Sequence, residues 1–319
     1  MNSPVFAALF PVVLLIATGF MAGRLGWIRA AAIRDLSGLI FLLLTPALLF
    51  RTMSKVNVEQ LDFKPVAAYF LAVAILFGGT LAVQGFNRRG AVLALANTFS
   101  NTVMIGIALV SLLYGPAGLV TLLTLVSVHA LVLLTSATVV LELAVAREAR
   151  QGTSMEGGAP RHAIATVLMA VRNALLHPVP LPIIAGLLFA QTGWVIPGVI
   201  DKPLEMLALA FGPLALVLVG VTLANTPVGQ HWRQALALAG IKNLIHPLLV
   251  ALLCRLLGVG GLPMTVMVVA AALPIGANVF LFSQRYEVAE ELVTASVVVS
   301  TALALLSLTL VFTLLPYLG

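Results

Sequence analysis

Apolar runs of about 20 residues recur from one end of this chain to the other, and no feature narrows the possible folds more. At 1.5 Å of rise per residue, a helix of that length crosses the roughly 30 Å hydrocarbon layer of a bilayer. In that layer every backbone N–H and C=O needs an internal partner, so only helices and closed barrels can span it. The ~10-residue segments of alternating polarity that a barrel would need are missing, which leaves helices. Charged residues make up 9% of the 319 positions, against about 25% in an ordinary soluble domain. The expected class is therefore an all-α polytopic membrane protein whose first partner is the lipid bilayer. A basic balance of +6 would suggest nucleic acid in a soluble protein, but here the Lys and Arg excess sits in loops as a topology signal, so no nucleic acid is expected.

Charged and Pro/Gly-rich breaks divide the chain into ten predicted spans, at 5–23, 33–53, 64–86, 91–113, 117–142, 166–190, 203–225, 233–256, 263–284 and 289–316. The first follows Met1-Asn2-Ser3-Pro4 without the basic region of a signal peptide, and so reads as a retained span. The polar segment 147–162 is read as a linker between a first five-helix repeat, 1–146, and a second, 163–319. Loops on the side of this linker carry eleven Lys and Arg and those on the opposite side five, so the linker is placed in the cytoplasm and both termini outside, in a multi-pass protein of the cell inner membrane. Five is odd, so a second half built like the first enters from the opposite face. Two inverted five-helix repeats are a frequent plan among secondary transporters. A single cysteine, Cys254, excludes an intrachain disulfide.

One stretch is out of keeping with lipid. Asn97-Thr98-Phe99-Ser100-Asn101-Thr102 sets five uncharged polar side chains inside the fourth apolar run. Its counterpart in the ninth run is Leu273-Pro274-Ile275-Gly276-Ala277-Asn278, and setting Asn101 against Asn278 aligns the two. Pro274 removes a backbone donor and Gly276 weakens a helix by about 1 kcal/mol relative to Ala, so both helices are expected to break at mid-depth. Paired interrupted helices point to a midplane site, because the half-helix N-termini present partial positive charge to an anion. Asn101, Asn278, Asn97, Thr98, Pro274 and Gly276 are the candidate substrate-binding residues. For the two central asparagines the competing role is to satisfy each other and the freed helix ends. For Thr98 it is a hydrogen bond back to its own helix.

Ionisable residues at membrane depth are few. Lys242 and His246 stand one turn apart in the eighth run, His129 in the fifth, and Glu142 near the cytoplasmic end of the fifth. A charged Lys in mid-bilayer costs roughly 3 kcal/mol, so it must face protein or water. Lys242 could supply charge to an anion or to the broken fourth helix, with His246 titrating beside it; alternatively Lys242 snorkels to an interface and His246 bonds a carbonyl. His129 is either a packing residue or a proton carrier, and Glu142 either a coupling group or an interfacial acid. No paired metal-ligand spacing and no nucleophile, zinc-protease, phosphate-loop or dinucleotide motif occurs, so no metal, no cofactor and no enzyme activity are expected.

At the two interruptions the chain resembles the auxin efflux carrier family, which includes bacterial malonate carriers and the plant auxin exporters. SNTVMIGIALVSLLYG at 100–115 and AALPIGANVFLFSQRY at 271–286 are similar to its crossover segments, and PALLF at 46–50 and the run from Lys242 to Pro247 to its second and eighth helices. The resemblance implies a fold like that of bile-acid symporters and sodium/proton antiporters. Helices 1, 2, 6 and 7 would form a scaffold and a homodimer interface, and helices 3–5 and 8–10 a moving core whose helices 4 and 9 cross. It further implies a small organic anion, mono- or dicarboxylate, as cargo and an elevator-type shift. Where the plant exporters place crossover prolines this chain has Ala108 and Val279, and in place of their Asp and Lys in helix 3 it has Tyr69 and Val73. Coupling to H+ or Na+, or uniport driven by the membrane potential, is compatible with the sequence. The competing class is an intramembrane enzyme or lipid-handling receptor.

Overall fold

The computed structural model describes residues 4–56, 61–152, 180–226, 229–276 and 278–318. Eleven helical segments make up the regular structure of these residues: α1 (Pro4–Arg24), α2 (Ala32–Met53), α3 (Lys64–Gln84), α4 (Arg88–Thr98), α5 (a π turn Thr102–Ile107 continued by Ala108–Gly152), α6 (Pro180–Gln191), α7 (Gly198–Asn225), α8 (Gly229–Leu256), α9 (Gly261–Ala272), α10 (Asn278–Arg285) and α11 (Glu290–Leu318). Among the described residues six helices are long and apolar enough to cross a membrane: Ala32–Met53, Lys64–Gln84, Thr102–Val145, Gly198–Asn225, Gly229–Leu256 and Glu290–Leu314. The ten runs do not map one to one onto these six helices. The fourth and ninth runs are broken into pieces too short to span, and the fourth and fifth are joined into the 44-residue stretch Thr102–Val145. That stretch turns at Gly115, whose φ of 58° and ψ of −153° are open to glycine and precede Pro116, so it serves as two helices. Of the sixth run only Pro180–Gln191 is described, and most of the 147–162 linker lies outside the described residues. The helix of the fifth run continues through Arg147 to Gly152, into the segment read as a linker.

α1 lies along α7 at close range. A Cβ on Gly220 would collide with the Ile16 carbonyl, and one on Gly19 with the Val217 carbonyl. Lipid offers no hydrophobic drive between helices, so such small residues hold helices together by letting backbones approach. α2 packs on α6 and α7. At its end Arg51 donates to both carboxylate oxygens of Asp201, at 2.7 and 3.0 Å. The remaining helices pack mostly among themselves: α3 against α4 and α8, α4 against α5, α8 against α9 and α11, and α9 against α5 and α11. Arg88 clamps the start of α4 to Glu148 of α5 through its backbone N–H at 2.9 Å and its Nε at 2.7 Å.

Three helices carry a π turn, at Ile40–Leu44, Thr102–Ile107 and Ile241–Ile245. Two of these precede a proline, Pro46 and Pro247, which cannot donate to the carbonyl four residues back. Widening the turn accommodates that missing donor, and in α8 it sits where Lys242 and Asn243 are buried.

Candidate functional site

The two broken helices meet through their backbones. α4 ends as Phe99 turns extended, at φ −84° and ψ 106°. α9 ends at Leu273, whose ψ of 150° is the conformation that a following proline enforces. The extended, buried stretches of chain centred on Ser100 and Ile275 then lie antiparallel. The Asn101 N–H donates to the Pro274 carbonyl and the Gly276 N–H to the Phe99 carbonyl, both at 2.9 Å. Asn101 therefore sits across from Pro274, and Gly276 across from Phe99. Gly276 is required here by space: a Cβ would lie 2.7 Å from Phe99 Cδ1 and 3.2 Å from the Ser100 carbonyl oxygen.

The break divides the ninth run unequally: α9 has 12 residues and α10 has eight, roughly 18 and 12 Å of helix. Freed backbone groups find partners around it. Asn101 Oδ1 accepts the Met104 N–H at 3.3 Å and so caps the helix that starts at Thr102. Ser300 Oγ of α11 accepts the Ile275 N–H at 3.1 Å, while Asn243 Nδ2 donates to the Ser300 carbonyl at 2.8 Å. Lys242 Nζ donates to the carbonyls of Ala271 and Leu273 at 2.6 and 2.7 Å. Its side chain is fully buried, which rules out snorkelling. It serves the ninth run, not the broken fourth helix that the sequence offered as a partner.

Other candidates sort by place. Asn278 opens α10 at the crossing and is half-buried; among the described residues its side chain makes no hydrogen bond to Asn101. Thr98 is turned back on its own helix, donating to the Ala94 carbonyl at 2.8 Å. Asn97 donates to Thr80 Oγ1 of α3 at 3.1 Å, and its buried Oδ1 has no partner among the described residues. It lines a lateral cavity of about 550 Å³ between α3, α4 and α8, apart from the crossing. Glu142 accepts from the Tyr286 hydroxyl at 2.8 Å, beyond the far end of α10, some 12 Å along that helix from Asn278.

His129 and His246 do converge on the crossing, by way of a residue that sequence reasoning noted only as a departure. Tyr69 is fully buried, and its hydroxyl lies 3.0 Å from Ser100 Oγ and 3.3 Å from His129 Nε2. Its ring stands 5.2 Å from that of His246, and the His129 ring 4.8 Å from Phe99. Both ring nitrogens of His246 are buried without a partner among the described residues, so it does not bond a carbonyl as one reading held. The signal for Tyr69 was present: a hydroxyl in an apolar run must be hydrogen-bonded if buried. Among the described residues no group of His, Cys, Asp and Glu could hold a metal ion.

This geometry can be set beside known proteins. The family described as membrane transport protein matches residues 4–312, nearly the whole chain. The chain belongs to that family. This transport family is the auxin efflux carrier family to which the two crossover segments pointed. A relative from Rhizobium meliloti (strain 1021), named "Putative malonate transporter", is 27% identical over 307 residues, covering 92% of this chain and 91% of its own length. A multi-pass membrane transport protein is thus the frame in which the crossing must work.

Proposed function

We propose that this member of the transport family carries a small organic anion, a mono- or dicarboxylate of malonate type, across the cell inner membrane by elevator-type alternating access, and is not an enzyme. The observation that carries the reading is the antiparallel bridge at Ser100 and Ile275. It sets the starts of two helical segments, at Thr102 and Asn278, two and three residues from one shared main-chain pairing, which supports an anion site there. Each N-terminus is worth roughly half a positive charge, and the opposing negative end of α9 is already met by the Lys242 ammonium. The local field therefore favours an anion, with Asn101 and Asn278 as amide donors and Pro274 and Gly276 shaping the backbone between them. The relative named for malonate supports the cargo class.

Packing supports the division of labour. α1, α2, α6 and α7 associate as a scaffold, through which a homodimer would form, and α3–α5 with α8–α11 as the moving core. In this reading ten spans form two inverted repeats, with the linker cytoplasmic and both termini periplasmic. Exit of an anion from a cell negative inside gains about 2.3 kcal/mol per charge per 100 mV, enough to drive export without an ion partner.

Uptake of labelled malonate by protein in liposomes, loaded with unlabelled malonate, tests this. Asn101→Ala and Asn278→Ala each remove a hydrogen bond to a charged group, about 1.5–3 kcal/mol, so apparent affinity falls roughly tenfold or more. Wild-type uptake by both variants removes the crossing as the binding site.

A further inference from the structure

We infer that the carbonyls of Ala271 and Leu273 form a monovalent-cation site, and that the Lys242 ammonium is its tethered, permanent occupant. Lys242 is buried to zero exposure beside the break in the ninth run. Among the described residues no carboxylate lies within ion-pairing distance of it, so its counter-charge is not an acid. What it meets instead is the C-terminal end of α9, where the last carbonyls of a helix carry partial negative charge. At 2.6 and 2.7 Å both contacts are short for N–H···O hydrogen bonds.

Carbonyls at the unwound ends of broken helices are the ligands with which secondary transporters hold a coupling Na+. Here the same kind of ligand is already filled by a cation that is part of the chain. Every neighbouring element leaves the site without an acid: Asn243 and His246 come from α8, Ser300 from α11 and His129 from α5. A mobile cation entering beside Lys242 would bring a second positive charge into a buried space that holds only neutral ligands. The site thus needs no sodium to be complete. Resting on the transport reading, the consequence is that the carrier moves its anion without sodium and that the stabilising positive charge travels with the core.

The test separates the site from transport. Thermal unfolding of purified full-length protein in detergent is compared in sodium, potassium, methylammonium and choline chloride at equal ionic strength. Wild type should unfold at one temperature in all four. Lys242→Ala empties the site, so its midpoint should be lowest in choline and rise by about 2 °C or more in methylammonium. Lys242→Met fills the same space without charge and should gain nothing from methylammonium. An Ala variant indifferent to all four salts, or a Met variant raised as much as the Ala variant, overturns the site.

Should the Ala variant not accumulate, wild type still decides. Selective stabilisation by sodium, or malonate uptake that requires sodium, refutes the inference, and equal behaviour in choline upholds it. Absence of malonate uptake under every condition counts against the cargo proposed above and leaves the thermal comparison intact.

Discussion

Gly276→Ala tests the crossing with a single methyl group. The added Cβ would lie 2.7 and 2.9 Å from Phe99 Cδ1 and Cε1, against the 3.5–4.0 Å at which carbon atoms rest. About 1 Å must be found. The Phe99 ring cannot swing into solvent, since the residue is 5% exposed and its ring lies 4.8 Å from that of His129. Either the ring is driven into His129 or the two chains part, stretching the bond from the Gly276 N–H to the Phe99 carbonyl. Overpacking of this kind costs about 1–3 kcal/mol. At roughly 2–4 °C per kcal/mol, the middle of that range lowers the unfolding midpoint by about 4–8 °C. A thiol-reactive dye reads the transition, because the lone cysteine, Cys254, is buried until the protein opens. Phe99→Leu in the Gly276→Ala background removes the ring atoms in the way and should recover part of the loss, giving a coupling of about 1 kcal/mol or more in the double-mutant cycle. A Gly276→Ala protein with the wild-type midpoint, or two substitutions whose effects simply add, would show that the described approach of the two chains is wrong.

Tyr69→Phe keeps the ring against His246 and removes only the hydroxyl shared with Ser100 and His129, so the same dye assay should show a loss of about 1–3 kcal/mol; an unchanged midpoint would mean the hydroxyl is not bonded as described. Hydrogen bonding from the Arg88 backbone N–H, reinforced by its guanidinium, holds the Glu148 carboxyl below its ordinary range. A carboxylate lowered in the folded state contributes stability above about pH 5 that is lost as pH falls through its folded value. The midpoint gap between wild type and Glu148→Gln should therefore shrink as pH drops from 6 toward 3.5, from a contribution of about 0.5 kcal/mol after solvent screening; a gap that widens contradicts the sign. Gly220→Ala puts a methyl against the Ile16 carbonyl, a backbone atom that cannot rotate away, and should lower the midpoint more than Gly276→Ala does.

The helical plan was legible because lipid leaves few options: among the described residues apolar runs located most helices to within a few residues, though the fifth runs ten residues past its expected end, and the polar stretch at Asn97 with its partner at Pro274 located both interruptions. Register at the crossing was not legible. It depends on which carbonyl meets which N–H, and an alignment of the two halves does not say that Asn101 meets Pro274 and Gly276 meets Phe99. Nor did spacing say which end of which helix Lys242 serves, since i and i+4 places it on a face but not against a neighbour. Asn97 and Thr98 show the same limit. Both share the polar stretch with Asn101, yet one turn of helix rotates them to α3 and to their own backbone. Tyr69 was visible as a residue and invisible as a hub, because its partners lie 31 and 60 positions away.

The two strands at the crossing are joined by main-chain atoms, which every residue except proline possesses in full. Substitution can reshape the walls around Ser100 and Ile275 without cutting the joint itself. Side chains around the joint are thereby released from the task of holding the helices together. Substitutions around it can change the lining while the main-chain joint is kept.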